Sequence, residues 1–154
     1  QNKLLYAVTQ KTAAEIIVSR ADANSPNMAL TNWKNTKVRK QDIYIAKNYL
    51  TKDEIDTLNR LVVIFLETAE LRIKERIDIS MEFWTKNVDR LLEFNNKPLL
   101  ASKGSISNKE MEDKVSEMYH LFEDRRKKQE AIADDKMELN ELNELEKKLK
   151  RREK

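Results

Sequence analysis

Residues 51–77 read TKDEIDTLNRLVVIFLETAELRIKERI and combine a helix start signal, a long apolar stripe and no proline or glycine. Thr51 and Glu54 have the spacing of a capping box, in which a hydroxyl and a carboxylate satisfy free amides at the start of a helix. Apolar residues then recur every three or four positions, which is typical of one face of an α-helix. They are Ile55, Leu58, Leu61, Val62, Phe65, Leu66, Ala69 and Ile73. The pattern predicts a long central helix.

Within this helix, residues 61–66 form the run LVVIFL, which is apolar all round. At helical spacing such a run indicates burial on more than one side. The flanking segments are the candidates to cover it. We therefore expect the preceding and following helices to pack around residues 61–66.

The composition favours an all-α protein. The 154 residues include one glycine and two prolines, and 37% of them are charged. A sheet protein needs turn residues about every ten positions, whereas this composition resembles that of long helices. The sequence predicts a helical bundle around a long central helix at about 51–77, with a charged carboxy-terminal helical extension. We expect one domain over residues 1–122 and a helical tail over 123–154.

The composition also excludes several classes of protein. The chain has no cysteine, so disulfides and thiolate metal sites are absent, and a reducing intracellular compartment fits. The longest apolar run has six residues, whereas a membrane-spanning helix needs about 20. We expect a soluble protein with no membrane association.

Other start signals predict the remaining helices. Thr12 with Glu15 and Ser107 with Glu110 have capping-box spacing, and Ser80 can cap a following helix. A cluster of turn residues around Pro26 interrupts helical periodicity, and a long connection follows the helix that Ser80 starts. The predicted helices lie at about 1–8, 12–22, 37–50, 81–95 and from 108 onward, with the 81–95 helix antiparallel to the central one.

The tail differs in character from the rest of the chain. Among its 32 residues, 11 are basic and 10 are acidic, and the apolar stripe is thin. Such a segment is either a solvated helix with i,i+4 ion pairs or a coiled-coil seam to another copy. The residues that would form the seam are Leu139, Leu142, Leu145 and Leu149, preceded by Ile132.

The basic residues are concentrated near the amino terminus. Residues 1–50 contain eight Lys or Arg residues against three acidic residues, although the whole chain has a net charge of only +3. Cations beside aromatic and amide side chains are typical of nucleic-acid contacts. The same residues are equally consistent with a solvated basic loop. The candidate nucleic-acid-binding residues are Arg20, Trp33, Lys34, Lys37, Arg39, Lys40 and Lys47.

Catalytic motifs are missing from the sequence. There is no glycine-rich phosphate loop, no HExxH and no GxSxG, and the chain has a single histidine. Carboxylates one turn apart could share a divalent cation with acids elsewhere in the chain. A metal-dependent enzyme acting on nucleic acid, with Arg20 or Lys34 clamping a phosphate, is therefore the alternative interpretation. Its candidate ligands are Glu15, Asp22, Glu67 and Glu70.

Four stretches together resemble the virulence-associated RhuM family of bacteria. They are KTAAEIIVSRADANSPNMALTNWK at 11–34, VRKQDIYIAKNYL at 38–50, LNR at 58–60 and FLETAE at 65–70. The family usually has glycine where this chain has Gln10 and Ala29. The resemblance covers roughly residues 1–100. It implies a carboxy-terminal region of a longer protein whose upstream part is similar to the DNA-binding-like domains of phage antirepressors.

The resemblance implies no reaction, because the family name records an association with virulence loci. We therefore expect a non-enzymatic helical interaction module of the bacterial cytoplasm, which works with an upstream DNA-binding domain and self-associates. Its expected partners are DNA and further copies of itself. We expect no cofactor, no bound metal and no small-molecule ligand.

Overall fold

The chain is all-α in a computed structural model that describes the backbone of residues 1–78 and 80–152 and the side chains of residues 1–78 and 80–145. These residues contain no strand. None of their helices combines the length and the apolar composition that crossing a bilayer requires. The α-helices are α1 (Asn2–Thr9), α2 (Ala13–Arg20), α3 (Lys52–Lys74), α4 (Met81–Phe94) and α5 (Asn108–Arg152), and 3₁₀ helices span Pro26–Ala29, Asp42–Tyr44 and Ala46–Tyr49.

Capping boxes start α2 and α3 at the predicted residues. The Thr51 hydroxyl accepts from the Glu54 N–H at 3.3 Å, and the Glu54 carboxylate accepts from the Thr51 N–H at 2.8 Å. Thr12 and Glu15 form the same pair of bonds at the start of α2. The predicted caps of α4 and α5 also form, since Ser80 and Ser107 each accept from the backbone N–H three residues later.

The main core lies between α2, the 3₁₀ helices, the start of α3 and the first half of α5. Ile16 and Ile17 of α2 are almost fully buried, as are Ile43 of a 3₁₀ helix and Val115 of α5. An apolar stripe on α5 supplies one wall of this core. Its residues are Met111, Val115, Met118, Tyr119 and Phe122.

A smaller apolar cluster joins α1, α3 and α4 through Ala7, Leu61 and Leu92. Further along α3, Phe65 lies 4.5 Å from Trp84, measured between ring centroids, and the Arg72 guanidinium lies 3.7 Å from the Phe83 ring centroid. Residues later in α3 thus contact residues earlier in α4. The predicted antiparallel arrangement of these helices is confirmed.

The expectation that flanking segments bury residues 61–66 on more than one side holds for Leu61, which packs with α1 and α4, but is wrong for half of the run. Leu61 is buried and Phe65 is half-buried, but three other side chains of this run are exposed, as is Ile73 further along. The reason is that α1 and α4 contact the side of α3 that carries Leu61, Phe65 and Arg72, and leave its other sides open. The exposed residues of the run are Val63, Ile64 and Leu66.

The prediction of one helix over residues 37–50 is also wrong, because two 3₁₀ helices occupy its second half. Asn48 Nδ2 donates to the Asp42 carbonyl at 2.9 Å, and the Tyr49 hydroxyl donates to the Ile43 carbonyl at 3.0 Å. These side chains use carbonyls that a continuous α-helix would need. Ile45, between the two 3₁₀ helices, has extended backbone angles.

The helix α5 continues without a break past residue 123 and through Asp134 and Asp135. Every side chain from 131 to 145 is exposed, including the apolar Leu139, Leu142 and Leu145, whereas Leu149 lies outside the described side chains. From residue 131 to residue 152 the helix is about 33 Å long. The division into a domain over 1–122 and a tail over 123–154 stays a prediction.

The two positions where the resemblance described above implies glycine, Gln10 and Ala29, both lie in the left-handed backbone region. Gln10 has φ 58° and ends α1, and Ala29 has φ 60° at the end of a turn whose residues Asn27 and Met28 are also left-handed. A side chain with a Cβ is strained in this conformation by about 1–2 kcal/mol. The backbone of this chain therefore accounts for glycine at both positions.

Ala29→Gly should raise the free energy of unfolding by roughly 0.5–1 kcal/mol, because relief of left-handed strain exceeds the added entropy of the unfolded chain. Ala21→Gly is the matched control, since Ala21 has φ −62° and should become less stable by a similar amount. Urea titrations of both variants measure the two changes. A loss of stability at both positions would show that Ala29 is not strained.

Candidate nucleic-acid interface

The segment that carries most of the predicted binding residues is held together by backbone hydrogen bonds. The Asn48 carbonyl accepts from the Thr31 N–H at 2.7 Å and from the Asn32 N–H at 3.3 Å. Lys34 and Lys47 consequently lie on two adjoining stretches of chain, and both side chains are exposed. The fold thus brings together cations that are 13 positions apart in sequence.

Asp42 organises the turn between these stretches. Its side chain is buried, and its carboxylate accepts from the Arg39 N–H at 2.9 Å. Asparagine and aspartate side chains commonly fix turns through such local bonds to the backbone. The Arg39 and Lys40 side chains on this turn are exposed. The buried acid therefore fixes the backbone that presents two cations to solvent.

The helix α5 adds cations that the sequence prediction missed. Arg126 Nη1 donates to the Val38 carbonyl at 3.3 Å, and Lys37 Nζ lies 2.6 Å from a Glu130 carboxylate oxygen. These contacts hold α5 against residues 37–38, and the next two residues of α5, Lys127 and Lys128, are exposed. The run of four cations RRKK at 125–128 could have indicated these residues. It was overlooked because the whole tail contains almost as many acidic as basic residues.

Six exposed cations lie on these two parts of the chain, and we term this set the basic surface. None of their charged side-chain groups makes an ion pair or a hydrogen bond with another described residue, although the Arg39 backbone N–H donates to Asp42. Among nearby acids, Asp42 is buried and Glu130 is paired with Lys37, whereas Asp124 is exposed on α5. The members of the basic surface are Lys34, Arg39, Lys40, Lys47, Lys127 and Lys128.

Three of the predicted binding residues already have partners within the fold. Arg20 donates two bonds of 2.6 Å to the Glu54 carboxylate and one of 2.8 Å to the Tyr49 carbonyl. Trp33 is half-buried and packs against the main core. Lys37 is paired with Glu130. Their positions leave four of the seven predicted residues free to meet a ligand.

The four candidate metal ligands do not form a cation site in the described part of the chain, where no three His, Cys, Asp or Glu residues are grouped to hold a metal. The Glu15 carboxylate instead accepts from Ser105 and from Thr12, and these hydrogen bonds lower its pKa to about 2. Asp22 accepts from the Ser25 hydroxyl and the Asn24 N–H. Both carboxylates therefore fix loops. The remaining two, Glu67 and Glu70, are exposed on α3.

Comparison with known protein families identifies the chain. The sequence model described as virulence protein RhuM family matches residues 1–130 of the 154. The chain belongs to the RhuM family. The match confirms the resemblance drawn from the sequence. The matched residues 1–130 of this RhuM family member contain all six residues of the basic surface. No curated protein and no solved structure matches it.

A substitution in the Arg20–Glu54 pair tests whether this pair stabilises the folded chain. Arg20 lowers the pKa of Glu54 from 4.5 to about 2 by hydrogen bonding to its carboxylate. The ionised Glu54 carboxylate therefore adds to the free energy of unfolding above pH 4.5, and this contribution is lost as the pH falls towards 2. Glu54→Gln should lower the unfolding free energy by about 1–3 kcal/mol at pH 7, and this difference should shrink below pH 4.5.

Unfolding of both proteins by urea at several pH values measures the effect. Glu67→Gln is the control, because Glu67 is exposed on the same helix and its replacement should change the free energy by less than about 0.5 kcal/mol. A Glu54→Gln effect of constant size between pH 7 and pH 2 would contradict a role for the ionised carboxylate.

Proposed function

We propose that this RhuM family chain is a non-enzymatic helical interaction module that contacts nucleic-acid phosphates through the basic surface. The observation that supports this most is that two segments distant in sequence, each carrying exposed cations, lie in contact with each other. The contact of Arg126 with the Val38 carbonyl and the Lys37–Glu130 pair hold these segments together. Lysine and arginine side chains neutralise nucleic-acid phosphates, and these contacts supply affinity that is independent of the base sequence.

The proposed contact is with the duplex backbone. Single-strand binding uses aromatic faces on which bases stack, whereas Trp33 and Tyr44, the aromatic side chains next to these cations, both pack against the main core. The lysine ammonium groups act as point charges towards phosphate oxygens. This surface consequently suits double-stranded DNA better than a single strand.

The module would work in the bacterial cytoplasm beside the upstream DNA-binding domain that the resemblance implies. A weak contact with the DNA backbone adds more to the affinity when a second DNA-binding unit on the same chain holds it at high effective concentration. Self-association would add to the same effect, because two copies present two basic surfaces. The basic surface would thus strengthen binding whose sequence preference lies upstream.

The alternative function is that of a metal-dependent enzyme acting on nucleic acid. It would require Glu15, Asp22, Glu67 and Glu70 to converge on one cation at about 2.0–2.6 Å. Glu15 and Asp22 are engaged in the hydrogen bonds of two loops. This engagement favours the interaction module over the enzyme.

Replacing Lys34 and Lys40 by Gln should weaken binding to duplex DNA and flatten its dependence on salt. Each phosphate contact contributes about −0.9 to the slope of log affinity against log salt concentration, so the double variant should lose roughly two units. Both side chains are exposed, so the melting temperature should not change. Fluorescence anisotropy with a labelled duplex between about 50 and 200 mM salt measures the slope.

The control is the double variant Lys103→Gln, Lys109→Gln, which removes the same charge from exposed positions. Lys109 lies in the first turn of α5, about 27 Å along the helix from Lys127. The control should keep the slope of the unmodified chain. Equal slopes for all three proteins, or no binding near 50 mM salt, would show that the basic surface is exposed to solvent and does not contact DNA phosphates.

A further inference from the structure

A polar cavity lies between α5 and the turn at residues 24–27. Its volume is about 330 Å³, which falls at the lower end of the range for ligand pockets in proteins. No acidic side chain is among the described residues that line it. We term this cavity the arginine recess. Its lining includes Asn24, Asn27, Phe122, Arg125, Arg126 and Gln129.

The helix α5 brings four of these side chains to one face. Phe122, Arg125, Arg126 and Gln129 follow one another at intervals of three, one and three residues, which makes them neighbours on the surface of an α-helix. Phe122 is buried in the main core, whereas the two arginines are half-buried. The core therefore fixes the part of α5 that carries the arginines.

The turn at residues 24–27 supplies another wall and is fixed by its own hydrogen bonds. The Asp22 carboxylate accepts from the Asn24 N–H at 2.8 Å and from the Ser25 hydroxyl at 2.6 Å. Met28, which follows the turn, is completely buried in the main core. Both walls are thus held by the fold itself, so a ligand would bind at little cost in conformational entropy.

Arg125 uses few of its hydrogen-bond donors within the fold, although a guanidinium carries five N–H groups. In the described part of the chain it forms no ion pair, and its two hydrogen bonds, to the Asn24 side-chain oxygen and the Ser25 carbonyl, are both 3.4 Å long. Typical N–H···O bonds are about 2.7–3.2 Å long. Arg20, in contrast, makes three bonds of 2.6–2.8 Å, two of them to the Glu54 carboxylate. Most donors of Arg125 are therefore available to a ligand.

Arg126 is also incompletely bonded. Its Nη1 and Nη2 donate over 3.3 Å to the Val38 carbonyl and to a Glu123 carboxylate oxygen. Its Nε is buried and has no hydrogen bond to any described residue. A Glu130 oxygen lies 3.9 Å from this Nε and already accepts from Lys37. Since buried polar groups in proteins are nearly always bonded, the pair of arginines lacks acceptors that the fold does not supply.

The number and arrangement of the donors suit a phosphate group. A carboxylate has two acceptor oxygens and is satisfied by one guanidinium fork, whereas a terminal phosphate has three acceptor oxygens and about two negative charges. The recess offers two neighbouring guanidinium groups and the side-chain amides of Asn27 and Gln129. The acids around it lie outside its lining and accept from other residues. They are Asp22, Glu123 and Glu130.

We propose that the arginine recess binds a terminal phosphate group, carried either by the end of a nucleic-acid strand or by a free nucleotide. Arg125 holds the phosphate through its guanidinium fork, and Arg126 with the two amides supplies further donors. A phosphate inside a duplex backbone is flanked by sugars on both sides, so a terminal phosphate enters a recess more readily. The recess shares no residue with the basic surface and is therefore a separate site.

Titration of the full 154-residue chain with orthophosphate at constant ionic strength tests the site. The Nε–H signals of Arg125 and Arg126 in proton–nitrogen NMR spectra should shift along a saturable curve. Arg125→Gln should weaken binding by at least about tenfold, as expected for the loss of a charged hydrogen-bond donor. Arg125→Lys should weaken it too, because lysine keeps the charge but loses the fork. Both variants should melt like the unmodified chain, since the bonds of Arg125 within the fold are long.

The matched control is Lys128→Gln, which removes the same charge from an exposed position of α5 outside the recess. It should leave the affinity for orthophosphate unchanged. Gln129→Glu is a second variant at an exposed position, and its carboxylate should abolish binding by repulsion without altering the fold. Equal losses for Arg125→Gln and Lys128→Gln would overturn the assignment, as would a titration that does not saturate or acetate binding as tightly as orthophosphate.

Two further titrations distinguish the sources of the phosphate. A duplex with a 5′-phosphate should bind more tightly than the same duplex with a 5′-hydroxyl if the ligand is a strand end. Adenosine 5′-monophosphate should bind more tightly than orthophosphate if the ligand is a nucleotide. Arg125→Gln should remove either gain, and the absence of both gains would contradict the proposal. The salt slope of the Lys34→Gln, Lys40→Gln variant is measured without these ligands, so the recess and the basic surface are tested separately.

Discussion

The Glu54 carboxylate makes the interaction on which the arrangement of the helices depends. It caps α3 by accepting from the Thr51 N–H, and it binds the Arg20 guanidinium at the end of α2. Arg20 also holds the Tyr49 carbonyl of the preceding 3₁₀ helix. One acid thus determines where α3 begins and joins it to two neighbours. Because both ionic partners are largely shielded from solvent, the pair is stronger than a surface ion pair.

Local signals in the sequence predicted the helix starts well. The hydroxyl of Thr12 or Thr51 and a glutamate three residues later need only their own turn to form a capping box, so four consecutive residues suffice to predict it. The region at 37–50 shows the limit of this reasoning. Its apolar residues have helical spacing, yet Asn48 and Tyr49 bond to carbonyls within the segment. Such competition depends on burial of the whole segment and is not visible as a pattern.

The candidate site was predictable in composition but not in detail. The abundance of cations at 34–47 is a property of the sequence, and these residues do lie on connected stretches. Which cations stay free depends on partners far along the chain, since Arg20 pairs with a residue 34 positions away and Lys37 with one 93 positions away. The contribution of Lys127 and Lys128 has the same origin, because only the packing of α5 against Val38 brings them near.

Burial of apolar side chains differs between two parts of the molecule. The core around α2 and α5 buries its apolar residues, whereas the far half of α3 leaves its own exposed. Amide hydrogen exchange tests this contrast most directly. Exchange in α2 and at residues 111–122 should be slow, whereas exchange at residues 63–74 should be faster, because few buried apolar contacts protect that part of α3. Equal exchange rates in the two parts of the chain would contradict the account.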